Sequence, residues 1–188
     1  MKRQLLTMSA ILFLFLGSSF AQTWETLTTG TTKIFFDMSI PPGQNDVIYG
    51  GCMQGTYNGE GAVMKSEDGG DTWTEVLGGS GTSGIEAIAF TSTENGFAAG
   101  WGGYFAQTTD GGATWTEITV GSGVWYYLDI EFYDENNGIA VGNLNAGGVG
   151  LWITADGGTT WTAAGSIVHN VQDVCYANAT TLYAVGGD

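Results

Sequence analysis

The sequence of 188 residues predicts an all-β fold made of a repeated unit of four short strands. An eight-residue pattern, Ser/Thr-x-Asp-Gly-Gly-x-Thr-Trp, occurs at 66–73, 108–115 and 154–161, and we call each copy a box. The stretches between the boxes are rich in β-branched and aromatic residues and are interrupted by glycine, which is typical of short strands and turns. A four-stranded unit that recurs at intervals of roughly 45 residues is typical of a β-propeller blade.

The strands of each unit can be placed in order along the chain. The first strand is predicted at 85–90 and at 128–132, where apolar and polar residues largely alternate. An Asn-Gly turn then leads to the second strand, because Asn-Gly is a strong hairpin signal. The third strand runs into the box, and the tryptophan of the box opens the fourth. The predicted blades lie at about 31–77, 83–119, 124–164 and, incomplete, 167–188.

The residue types of the box predict a turn that is held by its own side chains. An aspartate at the start of a tight turn can accept hydrogen bonds from the N–H groups one and two residues on. The glycines supply positive φ angles, and the threonine hydroxyl can bond back across the turn. The tryptophan can fill the gap between neighbouring sheets while its indole N–H finds an acceptor. The residues assigned this structural role are Asp68, Gly70, Thr72, Trp73, Asp110, Gly112, Thr114, Trp115, Asp156, Gly158, Thr160 and Trp161.

The first 21 residues predict an export signal. Lys2 and Arg3 precede an apolar run at 5–16, and residues 19–21 form a small-x-small cleavage site. The apolar run is shorter than the ~20 residues that span a bilayer. We therefore expect residues 22–188 to form a partial propeller domain that is secreted, periplasmic or on the cell surface, with no membrane insertion after the signal is removed.

The charge balance excludes several classes of partner. The chain has 19 acidic residues against four basic ones, a formal net charge of −15, and its single arginine, Arg3, lies in the predicted signal. Such a surface repels nucleic acid and anionic membranes. It also lacks the arginine forks that usually bind carboxylates and phosphates. We therefore predict no nucleic-acid partner.

Five residues outside the boxes are candidates to face a ligand: Trp101, Trp125, Tyr127, Asp129 and Glu131. The two acids lie in a first strand, which lines the central channel of a propeller, and paired carboxylates can cleave a sugar bond. Acids without any catalytic use are the simpler reading. The aromatic residues can stack on a sugar or a protein partner, or can pack between blades. Strand alternation places the middle residue of 125–127 on the opposite face from its neighbours.

No cofactor is predicted. The acidic turn at 134–137 offers oxygen ligands for calcium but has no EF-hand spacing. His169 is the only histidine, which leaves little for a zinc site or a Ser-His-Asp triad. The cysteines, Cys52 and Cys175, either form a disulfide in an oxidising compartment or remain two separate thiols, and the sequence leaves both alternatives open.

The boxes, together with the Asn-Gly-x-Ala-x-Gly phrase at 137–142 and its relative at 95–100, resemble those of the Asp-box (BNR) propellers of the sialidase-like superfamily. The resemblance is closest to the photosystem II stability/assembly factor-like branch, whose bacterial members are often modules of secreted or surface proteins with no photosynthetic role. It implies that the boxes lie at the periphery and that their aspartates are structural. The missing arginines argue against a sialidase and against a basic patch like that of the photosynthetic factors.

The number of repeats predicts three complete blades and parts of a fourth. Residues 22–25 resemble the end of a box, so Trp24 is expected to open an outer strand. Because an open blade leaves strand edges without partners, we expect the chain to be a fragment of a larger propeller, with an incomplete ring as the alternative. The predicted function is that of an exported, non-enzymatic scaffold or binding surface for a protein or glycan. The alternative is a fragment of a secreted, xyloglucan-cleaving glycoside hydrolase.

Overall fold

The computed structural model describes residues 29–55, 60–79, 81–167 and 170–187, and these residues form strands and turns without a helix. The predictions for the signal at 1–21, for Trp24 and for His169 lie outside the described residues. The first sheet contains β1 (Lys33–Ser39), β2 (Ile48–Gln54), β3 (Gly61–Ser66) and β4 (Thr74–Gly78). The second contains β5 (Ile85–Phe90), β6 (Gly96–Gly100), β7 (Phe105–Thr108) and β8 (Thr116–Glu117). The third contains β9 (Val124–Phe132), β10 (Gly138–Leu144), β11 (Val149–Thr154) and β12 (Thr162–Ile167), and the fourth β13 (Asn170–Asn178) and β14 (Thr181–Gly187).

Each sheet is antiparallel, and its strands lie in the order in which the chain forms them. The first strand of each sheet packs beside the first strand of the next, so β1, β5, β9 and β13 lie next to one another around a central channel. Three four-stranded sheets and one two-stranded sheet confirm the predicted all-β fold of a partial propeller. In the described ranges, nothing forms a helix of the length and hydrophobicity that crossing a membrane requires.

Every first strand contains a β-bulge at the same position. The extra residues are Phe36, Glu86, Leu128 and Gln172. Since a bulge places two residues opposite one, it interrupts the alternation of faces along the strand. The four bulge residues line one cavity at one end of the channel. The repeat therefore positions an equivalent side chain from each sheet at the same channel mouth.

Aromatic pairs hold neighbouring sheets together. The rings of Tyr49 and Phe90 stack across the first junction at 3.8 Å, and those of Phe97 and Phe132 stack across the second at 5.3 Å. At the third junction Ile139 belongs to the cluster against which Tyr176 packs. The core is therefore divided among the junctions between sheets rather than gathered in one central layer.

The two cysteines do not form a disulfide in the structure. Cys52 is buried in the first sheet and Cys175 is exposed on β13. Burial raises the pKa of the Cys52 thiol to about 12. The structure therefore contains two separate thiols, of which the buried one is inert and the exposed one is accessible.

Candidate functional site

The first box shows how the motif closes its turn. The Asp68 carboxylate accepts hydrogen bonds from the Thr72 N–H at 2.8 Å and from the Thr72 hydroxyl at 2.5 Å. Ser66 donates its hydroxyl to Asp68 at 2.8 Å and accepts the Gly70 N–H at 2.8 Å. The other boxes repeat these bonds within 0.2 Å. In the second box these bonds join Thr108, Asp110, Gly112 and Thr114, and in the third they join Thr154, Asp156, Gly158 and Thr160.

This geometry corrects the expected hydrogen bonding of the box aspartate. The aspartate reaches the residue four positions on, rather than the N–H groups one and two residues on. The turn is wider than a simple Asx turn because both box glycines adopt positive φ, as at Gly111 (66°) and Gly112 (78°). The residue that the sequence analysis left without a role is the first of the box. Its side chain is buried, and its hydroxyl accepts the N–H of the second box glycine, which would otherwise be buried without a partner.

The box carboxylates are exposed, and hydrogen bonds from threonine lower the pKa of each, as for Asp68 and Asp110.

The box tryptophans differ in whether the indole N–H has a hydrogen-bond acceptor. Trp73 donates its indole N–H to the Gly70 carbonyl at 2.9 Å, whereas the buried indole nitrogens of Trp115 and Trp161 meet no acceptor within the described ranges. The expected acceptor is therefore present in only one of the three boxes. All three aspartates are occupied by bonds within their own turns.

A second cluster of carboxylates lies inside the channel. Asp37, Asp129, Glu131 and Asp173 line a cavity of about 250 Å³. Burial raises the pKa of Asp129 to about 7, and its side-chain hydrogen bond with Asp173 acts in the same direction. The N–H of Val174 donates to Asp129 at 2.9 Å, which opposes that shift. The structure thus brings the two predicted acids, Asp129 and Glu131, into one cavity.

The pKa values of the neighbouring acids are raised as well. Burial is the first cause of the raised pKa of Asp37 and of Glu131, and the charge of Asp173 adds to both. Asp37 also accepts the N–H of Ile88 at 2.8 Å, so it joins β1 to the next sheet. In the part of the chain that the structure describes, no group of three or more such ligands is arranged to hold a metal ion.

An aromatic platform, formed by Trp101, Trp125 and Tyr126, lies beside the bulge residues. The Trp101 and Tyr126 rings stack at 4.7 Å with an interplanar angle of 13°. The Trp125 ring meets Trp101 edge-on at 5.9 Å and meets Tyr126 at 5.3 Å. Trp101 is mostly buried and donates its indole N–H to the Glu86 carboxylate at 2.6 Å, whereas Trp125 is 54% exposed.

Two clefts meet at the platform. One, of about 340 Å³, is lined by Trp101 and Trp125 together with Glu60 and the turn at 81–84. The other, of about 460 Å³, is the mouth of the channel and is lined by Trp101, Tyr126 and Glu86 among others. Both volumes are within the range of ordinary ligand sites. The platform therefore places the exposed Trp125 ring, at a steep angle to the Trp101–Tyr126 stack, beside two clefts that contain acidic residues.

The prediction that Tyr127 faces a ligand is wrong. Tyr127 is 1% exposed and packs in the core, 4.9 Å from Phe105 and 5.6 Å from Trp152. Two register shifts in β9 are the cause, since Leu128 and Trp125 are each an extra residue opposite β10 and interrupt the alternation on both sides of Tyr127. Tyr126, which the sequence analysis did not select, lies on the platform instead.

The platform is in a negative environment. Lys33 and Lys65, the lysines of the described residues, form ion pairs with Glu75 at 2.9 Å and with Glu67 at 2.8 Å. Neither lysine lines the two clefts, whereas Glu60 and Glu86 do. Burial raises the pKa of Glu86, and the hydrogen bond from Trp101 opposes this.

Solved structures that resemble this fold are β-propellers. YCF48 bound to a D1 peptide superposes with a TM-score of 0.57 at 23% identity, over 74% of this chain and 42% of that chain. YCF48 from Cyanidioschyzon merolae gives a TM-score of 0.58 at 19% identity, over 76% and 40%. A GH74 xyloglucanase from Xanthomonas campestris gives 0.57 at 15% identity, over 74% and 25%. No family model and no curated protein matches the sequence.

These comparisons establish the fold and its scale. The chain spans about two fifths of the length of the YCF48 structures that it matches and a quarter of the xyloglucanase. At these identities the likeness shows the fold alone, that of a β-propeller.

Proposed function

We propose that this chain is an exported, non-enzymatic binding module of the Asp-box kind, and that the platform of Trp101, Trp125 and Tyr126 is its ligand surface. The observation that carries the proposal is the exposed Trp125 ring, which lines the cleft that contains Glu60. It packs against Trp101 and Tyr126, which line the cleft that contains Glu86. Exposed tryptophan next to buried aromatic rings is typical of binding hot spots. The box aspartates are already occupied within their own turns and so do not compete for this role.

Charge narrows the class of ligand to a protein segment that carries lysine or arginine. A net charge of −15 attracts cationic partners and repels anionic ones. A tryptophan face binds an ammonium or guanidinium group by cation–π interaction, and the carboxylates beside it add charge complementarity. Peptide binding also occurs in this fold, since YCF48 has been solved with a D1 peptide. A neutral glycan, which would use the same aromatic faces, is the competing ligand.

The proposal is tested by isothermal titration with a lysine- and arginine-containing heptapeptide. Trp125→Ala is expected to weaken binding at least about 30-fold, because hot-spot tryptophans contribute about 2 kcal/mol or more. Tyr133→Ala is the matched control, since Tyr133 is 46% exposed but lies off the platform. Equal affinity of both variants, or binding only to a xyloglucan oligosaccharide, would contradict the peptide assignment.

A second candidate function is a fragment of a glycoside hydrolase, and one observation favours it. The pKa of Asp129 is raised to about 7, so its carboxyl can hold a proton at neutral pH and act as a general acid. Glu131 lies in the same cavity as a second carboxylate. That cavity is only about 250 Å³, and Asp129 is already bonded to Val174. Release of reducing sugar from xyloglucan by the wild type, abolished in Asp129→Asn/Glu131→Gln, would establish this function instead.

A further inference from the structure

The mouth of the channel, the cavity of about 460 Å³ beside the platform, has a single charged residue among the described residues that line it. That residue is Glu86, the bulge residue of β5. The other walls are formed by apolar and aromatic residues and by Asn143 and Gln172. A cavity of this composition offers complementary charge to a ligand group that carries one positive charge.

The fold does not require a carboxylate at the position of Glu86. The equivalent bulge residues of the three other described sheets are Phe36, Leu128 and Gln172, and none of them is charged. The hydrogen bond from Trp101 requires only an acceptor, which the amide of a glutamine also provides. The charge of Glu86 is therefore not explained by the folding of its strand, and binding of a ligand is the alternative role.

The Glu86 carboxylate is partly buried and forms no ion pair with another described residue. The two lysines in this part of the chain pair with Glu75 and Glu67 instead. Burial raises the pKa of Glu86, so its charged form is destabilised when no cation is beside it. Because an opposite charge stabilises a partly buried carboxylate, a ligand that brings an ammonium group to Glu86 gains from this pairing.

One oxygen of the Glu86 carboxylate already accepts a hydrogen bond. Oε1 accepts the indole N–H of Trp101 at 2.6 Å, and within the described residues no hydrogen bond reaches Oε2. An arginine fork binds a carboxylate best through both oxygens, whereas a lysine ammonium needs only one. Asn143 and Gln172 line the same cavity, and their amide oxygens can accept other protons of an ammonium group. The acceptors of the mouth therefore suit lysine better than arginine.

We propose that the channel mouth is a pocket for a lysine side chain, in which Glu86 binds the ammonium group and selects lysine over arginine. The lysine belongs to the protein segment that lies on the platform, so this pocket rests on the proposed function. Phe36, Leu128 and Val171 form apolar walls that can pack against the methylene groups of the lysine. Trp101 connects the two parts of the surface, since its ring belongs to the platform and its indole N–H holds the Glu86 carboxylate.

Three peptides separate the pocket from the platform in isothermal titration of the wild type. The first is the lysine- and arginine-containing heptapeptide, the second has its lysine replaced by arginine, and the third has its lysine acetylated, which removes the charge. The second should bind at least about fivefold more weakly than the first, and the third at least about tenfold more weakly. Equal affinity for the first and second would overturn the lysine pocket, while a loss of binding in Trp125→Ala would still support the platform. If none of the three binds, both the pocket and the proposed function fail.

Glu86→Gln tests the carboxylate itself, and Glu60→Gln is the matched control because it removes the same charge from the other cleft. Glutamine is compatible with the bulge, since Gln172 holds the equivalent position in the fourth sheet, and it keeps an acceptor for the Trp101 indole. Glu86→Gln should weaken binding of the first peptide at least about tenfold and should remove the preference for lysine over arginine. Glu60→Gln should change the affinity about fivefold or less and should keep the preference, because Glu60 is exposed. Equal effects of the two substitutions would show that only net charge matters and would contradict the pocket.

Discussion

Tyr49 of the first sheet stacks on Phe90 of the second at 3.8 Å and donates its hydroxyl to Gly111 in the second box. One side chain thus joins two sheets and fixes a box turn against its neighbour. The second junction repeats the stack with Phe97 and Phe132 but has no hydroxyl. The propeller is therefore held together by contacts of each sheet with the next, so the contribution of a junction can be measured by itself.

Tyr49→Ala is expected to destabilise the protein by about 3–5 kcal/mol, because it removes a buried ring and leaves a cavity between two sheets. Tyr49→Phe keeps the stack and should cost about 1 kcal/mol for the lost hydrogen bond. Urea denaturation measures both values. Tyr133→Ala, at a half-exposed ring, serves as the control. Equal destabilisation by Tyr49→Ala and the control would show that the junction contributes little.

The first residue of the box provides a second test. Thr108 is 1% exposed, accepts the Gly112 N–H at 2.8 Å and donates to Asp110. Thr108→Val keeps the shape of the side chain but leaves a buried N–H without an acceptor, which should cost about 1–3 kcal/mol. Thr108→Ser keeps the hydroxyl, as Ser66 does in the first box, and should retain most of the stability. Thermal unfolding of the two variants measures the difference, and a Thr108→Ser protein as unstable as Thr108→Val would contradict this role.

The channel acids predict how stability changes with pH. The pKa of Asp129 is raised from its ordinary value to about 7, so the folded chain binds more protons than the unfolded chain between about pH 4 and 7. Stability from this group is therefore present at low pH and is lost as the pH rises through 7. Asp129→Asn keeps an oxygen acceptor for Val174 and should be more stable than the wild type at pH 8, with the gain shrinking toward pH 4.

Urea midpoints measured between pH 4.5 and 8 test this expectation. Part of the slope should remain in Asp129→Asn because burial also raises the pKa of Asp37 and Glu131. The box aspartates act in the opposite direction at lower pH, since their lowered pKa values make stability fall on acidification. An Asp129→Asn protein that differs from the wild type equally at every pH would show that this carboxyl is not shifted in the folded state.

The sequence predicted which residues form each sheet better than it predicted on which face of a strand each side chain lies. Boxes and Asn-Gly turns indicate local structure, so four-stranded units could be recognised without long-range information. The bulges of the first strands have no sequence signature, and the two in β9, at Trp125 and Leu128, interrupt the alternation that had placed Tyr127 on the same face as Trp125. The pairing of Trp101 with Tyr126 joins two sheets, and the order of residues along the chain does not specify such a contact.

The most direct test of the account is a titration that separates the tryptophans of the boxes from those of the platform. The lysine- and arginine-containing heptapeptide is added to the ¹⁵N-labelled chain, and the indole N–H signals are assigned with single Trp→Phe variants. Peptide binding at the platform should shift the signals of Trp101 and Trp125, which line the clefts, and should leave those of Trp115 and Trp161, which are held between sheets, unchanged. Shifts confined to Trp115 and Trp161, or no shift at Trp125, would contradict binding at the platform.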